Sequence, residues 1–258
     1  SPAITPCCCE NLEKVNVSLT AGFDSRSSYA CLANSGKDIQ TYAFGLKGSK
    51  NVTIPLNIAK ELNIRFKPIW LNDEFVDQYY KWFELCTMAS DGYLGERTNY
   101  PYSFSQLSDF SPISINGNWG SEAIRPIQNF GYIISKEFYQ IAQSKHKQET
   151  FSNIYENYKK VSFLKTEILD NVKEAIWLKL EKWFQYVEGF SIPKQIHMHL
   201  YFENERKFFA NEIQTTRRFI TNRYPYYDDE IVELLFQCPF SRSEEHTSEI
   251  QSRQVISY

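Results

Sequence analysis

The segment from Val15 to Arg26, which reads VNVSLTAGFDSR, constrains the fold more than any other part of the chain. The β-rich run Val15–Thr20 leads through a small-residue turn into an Asp-Ser pair that begins a helical pattern reaching Leu32. A turn of this kind leaves backbone N–H groups at the helix N-terminus, where they bind anions. Asp24 beside them can hold a cation that bridges phosphate oxygens. The Gly-Lys-Ser/Thr of a Walker A loop is missing, so a different phosphate loop is predicted.

Alternating β-rich and helical patterns in the first half of the chain predict an α/β fold. Strands are predicted over Val15–Thr20, Gln40–Phe44, Phe66–Trp70 and Pro112–Asn116, with helical spacing over Ile54–Leu62 and Phe75–Met88. Such alternation is typical of a parallel sheet flanked by helices, which binds ligands beyond the carboxyl ends of its strands. The turn after the first strand is therefore expected at the carboxyl edge of the sheet.

From about residue 131 the apolar spacing becomes almost wholly helical. Apolar residues recur every four positions at Leu164, Ile168, Val172, Ile176 and Leu180. We expect one domain over residues 1–240, with an α/β core at about 11–130 and a helical part at about 131–240. Residues 241–258 are abruptly polar and resemble the translation of a sequencing adapter, so this tail is expected to be non-native.

Composition narrows the class of protein. A hydrophobic content of 42%, with 16% aromatics, is ample for a packed core and excludes disorder. A net charge of −3 predicts no nucleic-acid partner. Neither a bilayer-length apolar run nor a signal-peptide pattern occurs, so we expect a cytoplasmic protein without membrane contact. The consecutive Cys7, Cys8 and Cys9 are expected to form neither a disulfide nor a metal set.

The turn after the first predicted strand resembles the pyrophosphate loop, Ser-Gly-Gly-x-Asp-Ser, of the ATP pyrophosphatases. Thr20 takes the place of the first Ser and Ala21 that of the first Gly. The other positions of the loop are Gly22, Phe23, Asp24 and Ser25, of which Phe23 occupies the variable one. Ala21 departs from the pattern, since the Cβ that glycine lacks limits how closely a backbone approaches phosphate.

Three further segments extend this resemblance to the asparagine synthetase-like family, over about residues 11 to 241. The segment Asn116–Glu122 is similar to Gly-Glu-Gly-Ser/Ala-Asp-Glu, with Gly117 and Glu122 matching its ends. The segment Arg223–Glu233 is similar to Pro-Phe-Leu-Asp-x-x-Leu-Val-Glu. The segment Tyr42–Ser49 resembles the second strand and the loop that contacts adenine.

The resemblance implies a fold of the adenine nucleotide alpha hydrolase-like, ATP-pyrophosphatase type. It also implies an amide-forming ligase that uses ATP and Mg²⁺ to activate a small carboxylate, aspartate or a related acid, as an acyl-adenylate. A glutaminase domain or subunit would then supply ammonia. The implied nucleotide-binding residues are Thr20, Ala21, Gly22, Phe23, Asp24, Ser25, Phe44, Gly45 and Gly117, with Asp24 as the metal ligand. The implied catalytic positions are Asn118, Ser121 and Glu122.

Two departures from the family pattern leave other functions open. Asn118 stands where the family has its catalytic Glu, and Ser121 where it has a metal-binding Asp. The chain thereby lacks one candidate general base and one Mg²⁺ ligand. One alternative is a catalytically degenerate nucleotide-binding or scaffold protein, and another is sulfur transfer or amidation of NAD or GMP precursors. Arg97 is a further candidate, as a bidentate ligand for a substrate carboxylate.

Overall fold

A computed structural model describes residues 13–120 and 135–237 of the chain. These residues form two compact units, one of residues 13–120 and 205–237 and the other of residues 135–204. Within them, none of the helices has the length and apolar character needed to span a bilayer. The Cys7–Cys9 run, the positions Ser121 and Glu122, and the polar tail 241–258 lie outside the described residues.

The first unit is built on a parallel sheet of five strands in the order β3-β2-β1-β4-β5. The strands are β1 (Lys14–Ser18), β2 (Asp38–Gly45), β3 (Phe66–Trp70), β4 (Ile113–Ile115) and β5 (Thr221–Arg223). Helices flank the sheet, so the predicted α/β fold with a parallel sheet is confirmed. The first four strands fall where the sequence predicts them.

The helices of both units follow the chain in order. The first unit contains α1 (Phe23–Leu32), α2 (Lys50–Glu61), α3 (Asp73–Asp77), α4 (Tyr79–Ala89) and α5 (Asn99–Leu107). The second contains α6 (Lys136–Gln143), α7 (Lys147–Val161), α8 (Thr166–Tyr186) and α9 (Ile192–His199). A π-helix (Leu200–Phe209) then leads into α10 (Ala210–Thr216), and a 3₁₀ turn (Pro225–Tyr227) precedes α11 (Asp229–Gln237).

Strand β5 lies in a stretch that the sequence predicts to be helical. It pairs in parallel with β4, Ile113 opposite Thr221, and the carbonyl of Arg223 accepts the amide of Asn116 at 3.0 Å. Three residues are too few to show the alternation that marks a strand. The fifth strand of the sheet is therefore formed by a segment that follows the second unit in the chain.

Two buried clusters cover the two faces of the sheet. On one face Val15 and Val17 of β1 pack with Leu32 of α1 and Ile115 of β4. The other cluster consists of Tyr42, Ile69, Trp82, Tyr102, Phe104, Leu107 and Ile220. Because side chains alternate along a strand, a parallel sheet covered on both faces needs apolar residues at nearly every position.

A polar residue, Asn16, interrupts that apolar pattern at the centre of β1, with no exposed surface. Its Nδ2 donates to the carbonyl oxygens of Leu107 at 3.1 Å and Ser111 at 3.0 Å. Its Oδ1 accepts from Nε2 of Gln40 at 3.0 Å. A buried amide with all its partners in place is stabilising, and this one holds the segment before β4 against β1.

The second unit is a set of helices packed around Ile141, Phe151, Tyr155 and Leu169. The hydroxyl of Tyr155 donates to the carbonyl of Leu169 at 2.6 Å, which joins α7 to α8. Helix α8 confirms the helix predicted from the four-residue apolar spacing. The unit thus has a core of its own, separate from that of the sheet.

Replacing Asn16 with Ala tests the role of its amide. We expect Asn16→Ala to lower the free energy of unfolding by about 2–4 kcal/mol, because it removes the Asn16 donor from the carbonyl of Ser111, removes the Asn16 acceptor from Nε2 of Gln40, and opens a small cavity. The control Asn57→Ala, at an exposed position of α2, should change stability by less than about 0.5 kcal/mol. Denaturant unfolding of both variants measures the difference, and equal effects would contradict the anchoring role.

Candidate functional site

The order of the strands creates a crevice at the carboxyl end of the sheet. Strand β1 lies between β2, which follows it in the chain, and β4, which comes later. In open α/β sheets the loops that follow two such neighbouring strands diverge, and ligands bind in the crevice between them. Here these loops are residues 19–22, after β1, and residues 116–120, after β4.

The loop after β1 holds two hydroxyl groups at the N-terminus of α1. Oγ1 of Thr20 and Oγ of Ser25 lie 2.8 Å apart, and Oγ of Ser25 also accepts the backbone amide of Thr20 at 2.8 Å. Gly22 is the residue before the helix, and having no side chain it provides no cap for the amides of the first turn. An uncapped helix N-terminus beside two hydroxyls is suited to bind an anion.

Two glycines of the β4 loop pack against Asp24. A Cβ on Gly117 would lie 2.9 Å from both the carbonyl carbon of Asp24 and the amide nitrogen of Ser25. A Cβ on Gly120 would lie 2.8 Å from Cγ of Asp24. Glycine at both positions therefore permits the close approach that places the half-buried Asp24 side chain beside the β4 loop. Gly120 was not predicted as a site residue.

Between these glycines, Trp119 has a left-handed backbone with φ 74°. This conformation is strained for a bulky residue. Its buried ring stacks on that of Tyr227, with centroids 6.3 Å apart and 14° between the planes. The neighbouring Tyr226 donates its hydroxyl to the carbonyl of Asp24 at 3.4 Å. Three of the four family-like segments, namely the turn after β1, the segment after β4 and the segment Arg223–Glu233, therefore meet at one place in the first unit.

A cavity of about 210 Å³ opens between the two loops. Six of the predicted residues line it, namely Thr20, Gly22, Asp24, Ser25, Gly117 and Asn118, together with Ser18 and Phe209. Ala21 lies in the same turn and Phe23 begins α1, where its side chain is largely exposed. The structure therefore brings most of the predicted phosphate-loop residues and Asn118 to one surface. Ser18 and Phe209 are additional to the prediction.

Phe44 and Gly45, predicted as nucleotide contacts, lie at the end of β2 and do not line this cavity. The ring of Phe44 packs edge-on against Tyr100, with centroids 5.4 Å apart. A Cβ on Gly45 would lie 2.9 Å from Oγ of Ser49, so packing against the start of α2 accounts for glycine here. Their predicted contact with adenine stays a prediction.

The side-chain oxygen atoms near the cavity are suitable ligands for Mg²⁺, but they do not by themselves form a complete metal site. In the part of the chain that the structure describes, no group of three or more His, Cys, Asp or Glu side chains could hold a metal ion. Mg²⁺ commonly takes only one or two carboxylates and completes its shell with water and substrate phosphates. Asp24 in the cavity wall fits that pattern.

A second, smaller cavity of about 20 Å³ shares Asn118 with the first. Its lining includes Glu212, which is 4% exposed. Burial raises the pKa of this carboxyl group, and the nearby Arg97 guanidinium opposes that rise. Nε of Arg97 lies 3.6 Å from Oε2 of Glu212, so the arginine considered for a substrate carboxylate is paired within the protein. Sequence reasoning missed Glu212, because a Glu in a helical stretch normally faces water.

Replacing Gly117 with Ala tests the close approach of the two loops. We expect Gly117→Ala to lower the free energy of unfolding by about 1–3 kcal/mol and to speed amide exchange at Asp24 and Ser25, because the new methyl group displaces their backbone.

The control Gly36→Ala, at φ 73° in open space before β2, costs about 1–2 kcal/mol through backbone strain alone. It should leave exchange at Asp24 and Ser25 unchanged. Hydrogen exchange followed by mass spectrometry measures both variants. Identical exchange at Asp24 and Ser25 in the two variants would exclude the contact between Gly117 and their backbone.

Comparison with known proteins gives no information about the function of this site. No protein-family model matches the chain, and no curated protein sequence matches it. The residues that converge on the cavity are therefore the basis for assigning a function.

Proposed function

We propose that this protein is an ATP-dependent carbon–nitrogen ligase of the asparagine synthetase type, with a fold of the adenine nucleotide alpha hydrolase-like class. It activates a small carboxylate as an acyl-adenylate with release of pyrophosphate and then amidates it. The observation that carries the proposal is the convergence of the β1 loop and the β4 glycines on Asp24, beside the 210 Å³ cavity at the carboxyl end of the sheet.

The lining residues account for the binding of a polyphosphate. The hydroxyls of Thr20 and Ser25 and the amides at the start of α1 would hold the β- and γ-phosphates of ATP. Asp24 would hold Mg²⁺, which supplies charge neutralisation for the phosphates. Fixing the pyrophosphate in this way aligns the α-phosphorus with an attacking carboxylate, which is the main demand of the adenylation step.

The size of the cavity limits which part of the nucleotide it can hold. At about 210 Å³ it is smaller than the roughly 300–1,000 Å³ of pockets for whole drug-sized ligands. It therefore suits the pyrophosphate end of ATP, while adenine and the acid to be activated would bind outside it. We propose aspartate or a related acid as that substrate, and ammonia from a glutaminase domain or subunit as the nitrogen source.

One observation favours the alternative of a degenerate nucleotide-binding homologue. Asn118, an amide in place of the carboxylate expected from the resemblance, lines both cavities. An amide is not a general base and is a weaker ligand for Mg²⁺ than a carboxylate. This alternative predicts that ATP binds without being turned over.

Nucleotide binding tests the assignment of Asp24. We expect MgATP to bind in calorimetry and Asp24→Asn to weaken it at least tenfold, or about 1.4 kcal/mol, because the cation loses a charged ligand. Without Mg²⁺ the same variant should bind ATP as well as or better than the original chain, since a negative charge near the phosphates is gone. Asp109→Asn, at an exposed position before β4, is the matched control and should bind normally. Equal MgATP affinity of Asp24→Asn and the original chain would exclude Asp24 as the metal ligand.

Isotope exchange between pyrophosphate and ATP separates the ligase from its alternative. The ligase should catalyse exchange that depends on aspartate or on another acid from a panel of carboxylates. MgATP binding with no exchange for any acid would support the degenerate homologue. In that case Asn118→Glu, combined with Ser121→Asp, is expected to raise exchange above background.

A further inference from the structure

A strained residue lies between the two glycines that contact Asp24. Trp119 has a backbone φ of 74°, a left-handed conformation that costs a bulky residue free energy. Its side chain is 2% exposed, so the ring is held inside the first unit. Because such strain persists only where the surrounding structure imposes it, the contacts of this ring show what fixes the β4 loop.

The ring of Trp119 stacks on Tyr227, and Tyr227 is itself held by two hydrogen bonds. Its backbone amide donates to the carbonyl of Tyr224 at 3.0 Å, at the 3₁₀ turn. Its hydroxyl donates to Oε2 of Glu205, a side chain that is 5% exposed. A buried acceptor for the phenol hydroxyl restricts where the aromatic ring can lie. Glu205 therefore fixes the surface against which the Trp119 ring stacks.

Glu205 belongs to the π-helix Leu200–Phe209, whose last residue lines the phosphate cavity. A π-helix bonds residue i to residue i+5, so Glu205 and Phe209, four residues apart, lie about one turn apart. The end of this helix therefore borders the cavity directly at Phe209 and contacts the β4 loop indirectly, through Tyr227 and Trp119. Departures from α-helical geometry of this kind are frequent at functional sites.

The residue after Trp119 carries its position to Asp24. A Cβ on Gly120 would lie 2.8 Å from Cγ and 3.0 Å from Oδ1 of Asp24, so the Gly120 backbone is in close contact with the carboxyl group. The amide of Gly120 donates to the carbonyl of Gly117 at 3.3 Å, which closes the turn that contains Trp119. A shift of the Trp119 ring therefore moves the backbone that confines the Asp24 carboxyl group.

We propose that Glu205 is a positioning residue for the cation of MgATP. Through Tyr227 and Trp119 it holds Gly120 against the carboxyl group of Asp24, and so fixes where that group can bind Mg²⁺. This cation demands near-ideal octahedral geometry, so its affinity depends on the placement of each ligand. The inference rests on the MgATP binding of the proposed function.

Calorimetry with and without Mg²⁺ tests this role. We expect Glu205→Leu to weaken MgATP binding about tenfold, as is typical when a residue that orients a metal ligand is lost. ATP without Mg²⁺ should bind within about twofold of the original chain, because the hydroxyls and amides of the β1 loop hold the phosphates. Glu205→Gln, which keeps an oxygen acceptor for the Tyr227 hydroxyl, should retain most of the MgATP affinity.

The matched control is Glu61→Leu, at an exposed position of α2, which should bind both forms of ATP normally. A variant damaged only in its fold would lose both affinities together, and the same loss in Glu205→Leu would overturn the inference.

Two double variants locate the effect of Glu205. Tyr227→Phe keeps the stacked ring but removes its hydroxyl, so it should weaken MgATP binding as Glu205→Leu does, and combining the two should add less than about twofold. In an Asp24→Asn background, Glu205→Leu should change MgATP affinity by less than about twofold, because the carboxylate that it positions is gone. An undiminished loss in that background would show that Glu205 acts elsewhere.

Hydrogen exchange followed by mass spectrometry provides a measurement without nucleotide. Glu205→Leu should speed exchange of the Gly120 amide, whose bond to Gly117 closes the turn, while Glu205→Gln and Glu61→Leu should leave it unchanged. A loss of MgATP affinity with unchanged exchange at Gly120 would exclude the route through Trp119.

The outcomes distinguish failure of the inference from failure of the function. If the original chain binds MgATP and Glu205→Leu binds it equally well, nucleotide binding stands and Glu205 is not a positioning residue. If the original chain binds no MgATP, the proposed function fails and the role of Glu205 at the cation fails with it, whatever its effect on exchange.

Discussion

The position of β4 depends on the side-chain amide of Asn16, and the crevice depends on β4. Only two residue pairs, Asn16 with Ser114 and Val17 with Ile115, register β4 against β1. So short a pairing is weak, and the amide of Asn16 adds bonds to carbonyls of the segment that leads into β4. Because β4 ends at Ile115, the next residues turn towards α1 and bring Gly117 onto the backbone of Asp24. A buried polar group in the sheet thus sets the geometry of a site one loop away.

The sequence predicts the fold well where the pattern is long and local. Four strands appear as short apolar runs between helical patterns, and α8 follows directly from a four-residue apolar spacing. The predicted helix Phe75–Met88 is instead divided into α3 and α4 at Gln78, whose φ of −95° and ψ of 6° depart from helical values. Neither proline nor glycine marks that break. Strand β5 was missed because its pairing with β4, rather than its own residues, makes it a strand.

The residues of the candidate site could likewise be predicted from the sequence only where they are contiguous in the chain. The turn from Thr20 to Ser25 could be recognised because its residues are contiguous and each has a role in binding an anion. Glu212 and Phe209 could not, since they reach the cavities from α10 and from the end of the π-helix, far along the chain from the loops after β1 and β4. Trp119 carries a left-handed backbone that its residue type disfavours, and its ring stacks on a residue more than a hundred positions later. Such contacts exist only once the tertiary structure has formed.

The late return of the chain to the sheet has a consequence for folding during synthesis. Asn116 and Asn222, which bond to each other beside β4 and β5, are 106 residues apart. Pairings between segments so distant form slowly, because the intervening chain must be ordered or looped out first. While the ribosome is still making that intervening chain, β4 presents an unpaired edge, which is the part of a sheet most prone to pair with another chain. Strand β5 then covers the edge, and the same segment contributes Tyr226 and Tyr227 to the crevice. Addition of the last strand to the sheet and completion of the crevice are therefore one late event in the folding of this chain.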